Sequence, residues 1–361
     1  MSEITGPLRV GLVGYGLAGS VFHAPLIATT PGLTLRTVVT TSPQRRAQLA
    51  REHPGARAVD SVEQLLADSS ALDLVVVASP NRTHVPAARA ALEAGLAVVV
   101  DKPLAATSAE ARELIALAAD RGALLTVFQN RRWDSDFRTV QKLIADGALG
   151  TVHRYESRFE RWSAQAGPGW RESPDPVDAG GVLYDFGSHL VDQALNLFGP
   201  ADTVYAEIDA RRPGATVDDD AFVALTHASG VHSHLWMSAC AAQLGPRLRV
   251  LGNRAAYTVH GLDPQEDALS RGQRPGPGWG AVAEPGWGML GTLDSARAQP
   301  SLPGDYPAFY RGVAAALREG APTPVDAEDA VAVLEVLEAA RRSAAESRVV
   351  SLRSIAAAAQ A

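Results

Sequence analysis

The sequence predicts an α/β protein of two domains. The first, over 1–125, is a doubly wound parallel sheet of the Rossmann dinucleotide-binding type; the second, over 126–361, is an α+β domain with a large open, mostly antiparallel sheet. Three observations predict this. Short, almost wholly apolar runs alternate with helical segments through the first third, as strands covered on both faces and joined by crossover helices do. The first run ends in a glycine-spaced turn, "VGYGLAG". Beyond about residue 128 the strands turn mixed in polarity and rich in Thr, Val, Tyr and Phe, as in an antiparallel sheet with one wetter face.

Each element has its own signal. Residues 8–14, "LRVGLVG", are the first strand, and a helix from about Leu17 stops before Pro31-Gly32. "LTLRTVV" is the second strand. Ser61 with Gln64 opens a short helix over 61–67. "LDLVVVAS" is the next strand, and a helix over 82–94 is closed by Gly95. "LAVVVD" follows, then a helix opened by Thr107 with Glu110 and closed at Gly122, then the strand "ALLTVFQ". A helix over 133–145 leads to the strands "TVHRYESRFE", "DTVYAEIDA", "AFVALTH", "VHSHLWMSA", "RLRVLG" and "AAYTVHG". A helix over 186–198 interrupts them, and helices over 306–319 and 327–345 end the pattern. The biased stretch 271–291 reads as a long loop, and "DDD" at 218–220 as a solvated turn.

Composition narrows the function. The net charge of −7 argues against a nucleic-acid or anionic-membrane partner, since both favour a basic surface. One cysteine, Cys240, rules out an internal disulfide and suits a reducing compartment. The start "MSEITGPLRV" lacks a signal-peptide pattern, and no apolar run approaches the ~18 residues of a membrane span. The expectation is a soluble, cytoplasmic protein.

In "VGYGLAG" the first glycine allows the tight turn, the second lets a pyrophosphate approach the backbone, and the third lets helix pack on strand. Phosphate then sits at the helix N-terminus. The loop residues Gly14, Tyr15, Gly16, Leu17, Ala18 and Gly19 are therefore candidate cofactor contacts. A site for NAD wants an acid at the end of strand two. Here Thr40, Thr41 and Ser42 stand there, followed by Arg45 and Arg46. Hydroxyls and arginines suit a 2′-phosphate, which favours NADP(H) over NAD(H); the plain alternative is that both arginines are solvated helix residues.

Lys102 follows the strand "AVVVD" at its carboxyl end, where ligands bind in open α/β sheets. An ammonium there can steady charge developing on a substrate oxygen. A surface ion pair with Asp101 is the alternative, and a poor one, since neighbouring strand residues point to opposite faces. "SPNRTH" ends the preceding strand at the same edge, so Ser79, Pro80, Asn81 and His84 are further cofactor candidates. In "GGVLYDFGSHLVDQALNLFG", Asp185 and His189 are four apart and share a face if one helix covers both, with Asp192 near the same stripe. Histidine is suited to taking a hydroxyl proton near neutral pH. Equally, Asp185 caps the helix and His189 fills the domain junction. His232 and His234 share a strand face, but no third ligand has metal-site spacing, so no metal is expected.

Taken together, "VGLVGYGLAGSVFHAPLI", "SPNRTHVPAARAALEAG", "VVVDKPLA" and "GGVLYDFGSHLVDQAL" resemble the Gfo/Idh/MocA oxidoreductases along essentially the whole chain. "NRRWDSDF" and "GWRE" resemble the NADP-dependent scyllo-inositol dehydrogenase-like branch of that family. The resemblance implies catalytic roles for Lys102, Asp185 and His189, with Asp101 replacing the family's usual glutamate. It also implies a cis bond between Lys102 and Pro103, and homodimers or homotetramers formed through the open sheet. The implied reaction is hydride transfer between a nicotinamide and the CH–OH or ketone of a cyclic polyol or sugar. Asn130, Trp133, Trp162, Trp170 and Tyr306 are the candidate substrate contacts; for Tyr306, packing at a helix start is the equal alternative. Two other readings stand beside this one: a non-catalytic dinucleotide sensor of the same fold, and a reductase of another bond such as an imine or a tetrapyrrole.

Overall fold

The computed structural model describes residues 6–352. The described residues pack as two compact units: those within Met1–Trp133, Pro264–Trp279 and Asp305–Val331 form the first, and those within Asp134–Asp263, Gly280–Gly304 and Ala332–Ala361 the second. The sequence reading placed one boundary at 125/126. In the structure the chain instead returns twice to the first unit. The reason is apolar. Helix Pro307–Glu319 buries Phe309, Tyr310 and Val313, and its rings meet those of the first unit, with Phe309 4.9 Å from Phe128 and 5.7 Å from Trp133 between ring centres.

The first unit holds six strands: β1 (Leu8–Val13), β2 (Leu33–Val39), β3 (Arg57–Val59), β4 (Leu74–Val77), β5 (Ala97–Asp101) and β6 (Leu125–Phe128). They are ordered β3-β2-β1-β4-β5-β6, every neighbour parallel. The order reverses between β1 and β4, so the ligand crevice of such a sheet lies at their carboxyl ends. Val75, Val76 and Val77 of β4 and Val98, Val99 and Val100 of β5 are fully buried, which explains the unbroken valine runs. Each such side chain contributes about 1.5–3 kcal/mol of burial. Helix Ser108–Arg121 carries the expected capping box and ends at the left-handed Gly122. The helix after β1 departs from the expectation. It opens as a π-helical turn, Ala18–His23, before Ala24–Thr29. Pro25 has no N–H to return to Val21, so the α-helical ladder cannot run through this point.

The second unit holds β7 (Val152–Glu160), β8 (Ala201–Asp209), β9 (Asp220–His227), β10 (His232–Ser238), β11 (Leu248–Gly252), β12 (Ala256–Val259), β13 (Gly288–Gly291), β14 (Arg297–Gln299) and β15 (Val350–Ser351). Their order is β14-β13-β12-β11-β7-β10-β9-β8-β15. All neighbours are antiparallel except β7 and β10, which run parallel. In β9, Ala221, Val223 and Leu225 face the core while Phe222, Ala224 and Thr226 stay half-exposed, the alternation of a sheet wetted on one side. β13 falls inside the stretch read as a loop.

The "DDD" turn is also not a solvated one. Asp219 is fully buried and accepts from the backbone N–H groups of Arg211 (2.7 Å) and Arg212 (3.0 Å) and from the Arg212 side chain (2.9 Å). Burial alone would raise its pKa. Those donors outweigh it and hold the carboxyl below the usual range. Among the described residues no helix is long and apolar enough to cross a membrane.

Candidate active site

Three glycines at the end of β1 do different work. Gly14 has φ +97° and lies so close to β4 that a methyl there would sit 2.7 Å from the Ala78 carbonyl oxygen. A methyl on Gly19 would run into the carbonyl oxygen of Gly14. Gly16 is different: a methyl there meets only the Arg45 guanidinium, at an ordinary 3.6–3.8 Å. The loop is thus tight on its protein side at Gly14 and Gly19 and open at Gly16, which is what a pyrophosphate needs. Leu17 beside it is 56% exposed, whereas Tyr15 is buried and donates its hydroxyl to Glu52 at 3.1 Å.

At the end of β2, Thr40 is buried and donates its backbone N–H to Val59, and Thr41 is exposed. Ser42 caps helix Pro43–Glu52 by accepting from the Arg45 N–H. The two arginines separate here. Arg46 is held by Asp60 at 2.6 Å, whereas the exposed Arg45 guanidinium lies across Gly16 and makes no ion pair among the described residues. Of the two arginines, Arg45 is thus the one whose guanidinium is not already matched to a carboxylate.

Lys102 leaves β5 half-buried, and its bond to Pro103 is cis. Asp101 does not serve as a surface partner. One carboxylate oxygen accepts the Lys102 backbone N–H at 2.8 Å, and the other lies 3.8 Å from Nε2 of the fully buried His23. His23 Nδ1 in turn is 2.6 Å from the Tyr310 hydroxyl, which burial and the Asp101 charge keep protonated. Burial pushes the Asp101 carboxyl up, but the His23 contact and the Lys102 charge more than offset it and keep it ionised.

From the other side of the turn, His84 places Nδ1 2.8 Å from the Pro103 carbonyl and Nε2 2.9 Å from the Ser79 carbonyl. Burial lowers its pKa, so the ring is neutral at pH 7 and donates to one carbonyl at a time. His84 is 1% exposed, so the ring ties two turns together and is not offered to a cofactor, contrary to the sequence reading. Ser79 and Pro80 reach the surface and Asn81 is buried.

In the second unit, helix Gly187–Phe198 matches the expected 186–198 and carries His189, whereas Asp185 ends a separate turn, Val182–Asp185, so one helix does not cover both. The start of this segment is clamped. Asp218 accepts the Leu183 N–H at 2.7 Å, and its own carbonyl accepts the Val182 N–H at 2.9 Å. Gly181, at φ +93°, leaves no room for a side chain beside Asp218. Its N–H donates to the Arg171 carbonyl at 2.9 Å, and a methyl on Gly180 would lie 2.5 Å from the Ser173 carbonyl oxygen. The paired glycines thus dock the Trp170–Glu172 turn against the Asp–His segment. Arg171 stacks 4.5 Å over Trp170 and donates Nε to Asp185 at 3.1 Å. Sequence reasoning missed Arg171 as Asp185's partner, although "GWRE" ahead of the glycine pair was its only visible signal. His189 is buried, its ring stacked 6.4 Å from that of Phe159, and Asp192 is buried beyond it.

The substrate candidates fare unequally. Trp170 is half-buried beside Arg171, and Trp133 is half-buried against Phe309. Asn130 is buried. Trp162 is 61% exposed and bridges to Cys240. Tyr306 is fully buried, its backbone N–H bound to Gln265 at 2.7 Å, so it offers no surface to a substrate.

Two family models divide the chain between them. Residues 8–129 match the oxidoreductase-family NAD-binding Rossmann fold, and 141–352 match the oxidoreductase-family C-terminal α/β domain. The chain belongs to the Gfo/Idh/MocA oxidoreductase family. The family thus accounts for both units, an NAD(P)-binding unit and an α/β unit. Among its members, the uncharacterised oxidoreductase YdgJ of Escherichia coli is 41% identical over 93% of this chain and 96% of its own. The scyllo-inositol 2-dehydrogenase (NADP+) IolW of Bacillus subtilis is 36% identical over 96% of each. The solved structure of YvaA of Bacillus subtilis superposes with a TM-score of 0.91 at 35% identity, covering 97% of this chain and 99% of that one.

Proposed function

We propose that this oxidoreductase uses NADP(H) to interconvert a secondary hydroxyl and a ketone on a cyclic polyol or sugar. The observation that carries the reading is Lys102. It stands at the ligand edge of the nucleotide-binding unit, on a turn fixed by Asp101, His23 and His84. Such rigid support is what a group needs to meet a reacting oxygen. The tight turn made by Gly14 and Gly19 would present Gly16 to the pyrophosphate, and Arg45 would hold the 2′-phosphate. When bound, the nicotinamide accepts or returns the hydride. In the oxidising direction His189 takes the hydroxyl proton, Lys102 steadies the charge growing on the oxygen, and Asp185, oriented by Arg171, binds a neighbouring hydroxyl. Trp170 offers a flat face for sugar C–H groups. The similarity to IolW supports an inositol-like substrate. Copies of the chain pair through the half-exposed face of β9 and β10 in this reading, where Phe222, His234 and Trp236 meet ring to ring.

The test is turnover of inositols and sugars with NADP+ and NAD+, followed by absorbance. Wild type should turn over a polyol faster with NADP+. Lys102→Ala and His189→Ala should each lose about 10²–10⁴ in kcat, while His189→Ala keeps its NADPH affinity. Arg45→Ala should lose affinity for NADPH and not for NADH, with Arg46→Ala close to wild type. A fully active His189→Ala would place the base elsewhere, and preference for NAD+ would overturn the reading of Arg45.

A further inference from the structure

Segment Pro264–Trp279 lies far along the sequence from the glycine loop yet packs in the same unit. Its helix Gln265–Ser270 lies against the π-helical turn Ala18–His23 that follows the loop. The buried Gln265 anchors the segment at both ends. Its Nε2 donates to the Trp133 carbonyl at 3.1 Å, and its Oε1 accepts from the Trp279 indole at 2.7 Å as well as from the Tyr306 N–H. Arg274 is carried between these anchors. One guanidinium nitrogen lies 3.9 Å from Oε2 of Glu52, the last residue of helix Pro43–Glu52. That same oxygen accepts the Tyr15 hydroxyl at 3.1 Å, and Gln48 donates to the other oxygen at 3.1 Å.

One carboxylate therefore joins three segments: the glycine loop, the helix after β2 and the 264–279 strap. We propose that Glu52 is a latch that holds this strap to the glycine loop and slows release of the bound dinucleotide; the proposal rests on the dinucleotide reading above. Tyr15 directly precedes Gly16, the residue whose backbone is open to phosphate in that reading, so pinning its ring fixes the peptide that leads into Gly16. Burial, reinforced by the Glu52 charge, keeps the Tyr15 phenol protonated and donating. Burial and Arg274 keep the neighbouring His53 from taking up a proton, so Arg274 is the cation facing Glu52. The Arg274–Glu52 pair is partly exposed, with side chains 35% and 29% accessible, so it can open and is weakened by salt. An exposed latch suits a ligand that must leave after each turnover.

The test is stopped-flow release of NADPH, displaced by excess NADP+, from full-length wild type, Arg274→Ala, Glu52→Gln and the double variant. Glu52→Gln keeps an acceptor for Tyr15 and removes only the charge; melting of each protein without dinucleotide reports any damage to the fold. Each single variant should release NADPH roughly two- to fivefold faster. The double variant should be no faster than the faster single, because both break one contact. Salt should accelerate release more in wild type than in Arg274→Ala. Single variants that release at the wild-type rate, or single effects that multiply in the double, would overturn the latch and leave the dinucleotide reading standing. A wild type that binds neither NADPH nor NADH would overturn both.

Discussion

Gly16→Ala separates the glycine that a ligand needs from the glycines that the fold needs. Position 16 lies outside the left-handed region, and its methyl would meet only the Arg45 guanidinium at 3.6 Å or more. Alanine there is unstrained and narrows the unfolded ensemble, which stabilises by about 0.4–1 kcal/mol. In a protein of this size that is a rise of at most about 4 °C in melting temperature. Gly19→Ala is the contrast. Its methyl cannot coexist with the Gly14 carbonyl, so the backbone must move, at about 1–3 kcal/mol, and the melting temperature falls. For the dinucleotide the order reverses. In the proposed site the Gly16 methyl would occupy the surface where phosphate meets the backbone. Losing one charge-assisted hydrogen bond costs about 1.5–3 kcal/mol, or about ten- to a hundredfold in NADPH affinity. Differential scanning fluorimetry without dinucleotide and fluorescence titration with NADPH measure the two quantities. A Gly16→Ala protein that melts like wild type and still binds NADPH within about twofold would refute the assignment of this loop to the pyrophosphate.

Two further outcomes follow from the same geometry. His84 has its pKa lowered by burial, so the folded state binds fewer protons there than the unfolded state; its contribution is intact above about pH 6.5 and is lost as pH falls below that. Urea unfolding at pH 7.5 and 5.5 should therefore show a smaller acid loss in His84→Gln than in wild type, and equal losses would show that the ring is not buried neutral. Light scattering should find wild type as a dimer or tetramer and Trp236→Ala as a smaller species, because the substitution removes the large ring on which Phe222 and His234 meet; a monomeric wild type at micromolar concentration would remove the proposed interface.

Local signals carried much of the fold. Val75 to Val77 and Val98 to Val100 announce buried parallel strands because a strand covered on both faces has no polar side to show. Thr107, Glu110 and Gly122 mark their helix because caps act within a few residues. The spacing of Gly14, Gly16 and Gly19 and the placing of Lys102 just beyond a core strand were legible for the same reason: the constraint lies within one strand–turn–helix unit.

What the tertiary structure decided is who meets whom across long separations in the chain. It buried Asp219, which the sequence presents as one of three equal acids, by bringing Arg211 and Arg212 onto it. It gave Asp185 to Arg171 and set Gly181 against Asp218. It split Arg45 from Arg46, two neighbours with the same charge, by giving Asp60 to one and Gly16 to the other. It turned His84 from a cofactor candidate into a tie between two carbonyls, and it returned Pro264–Trp279 and Asp305–Val331 to the unit that begins the chain. Periodicity and turn chemistry report how a residue sits on its own element. Charge pairing and the choice of which apolar faces join depend on chain segments tens to hundreds of residues apart, and only packing brings those together.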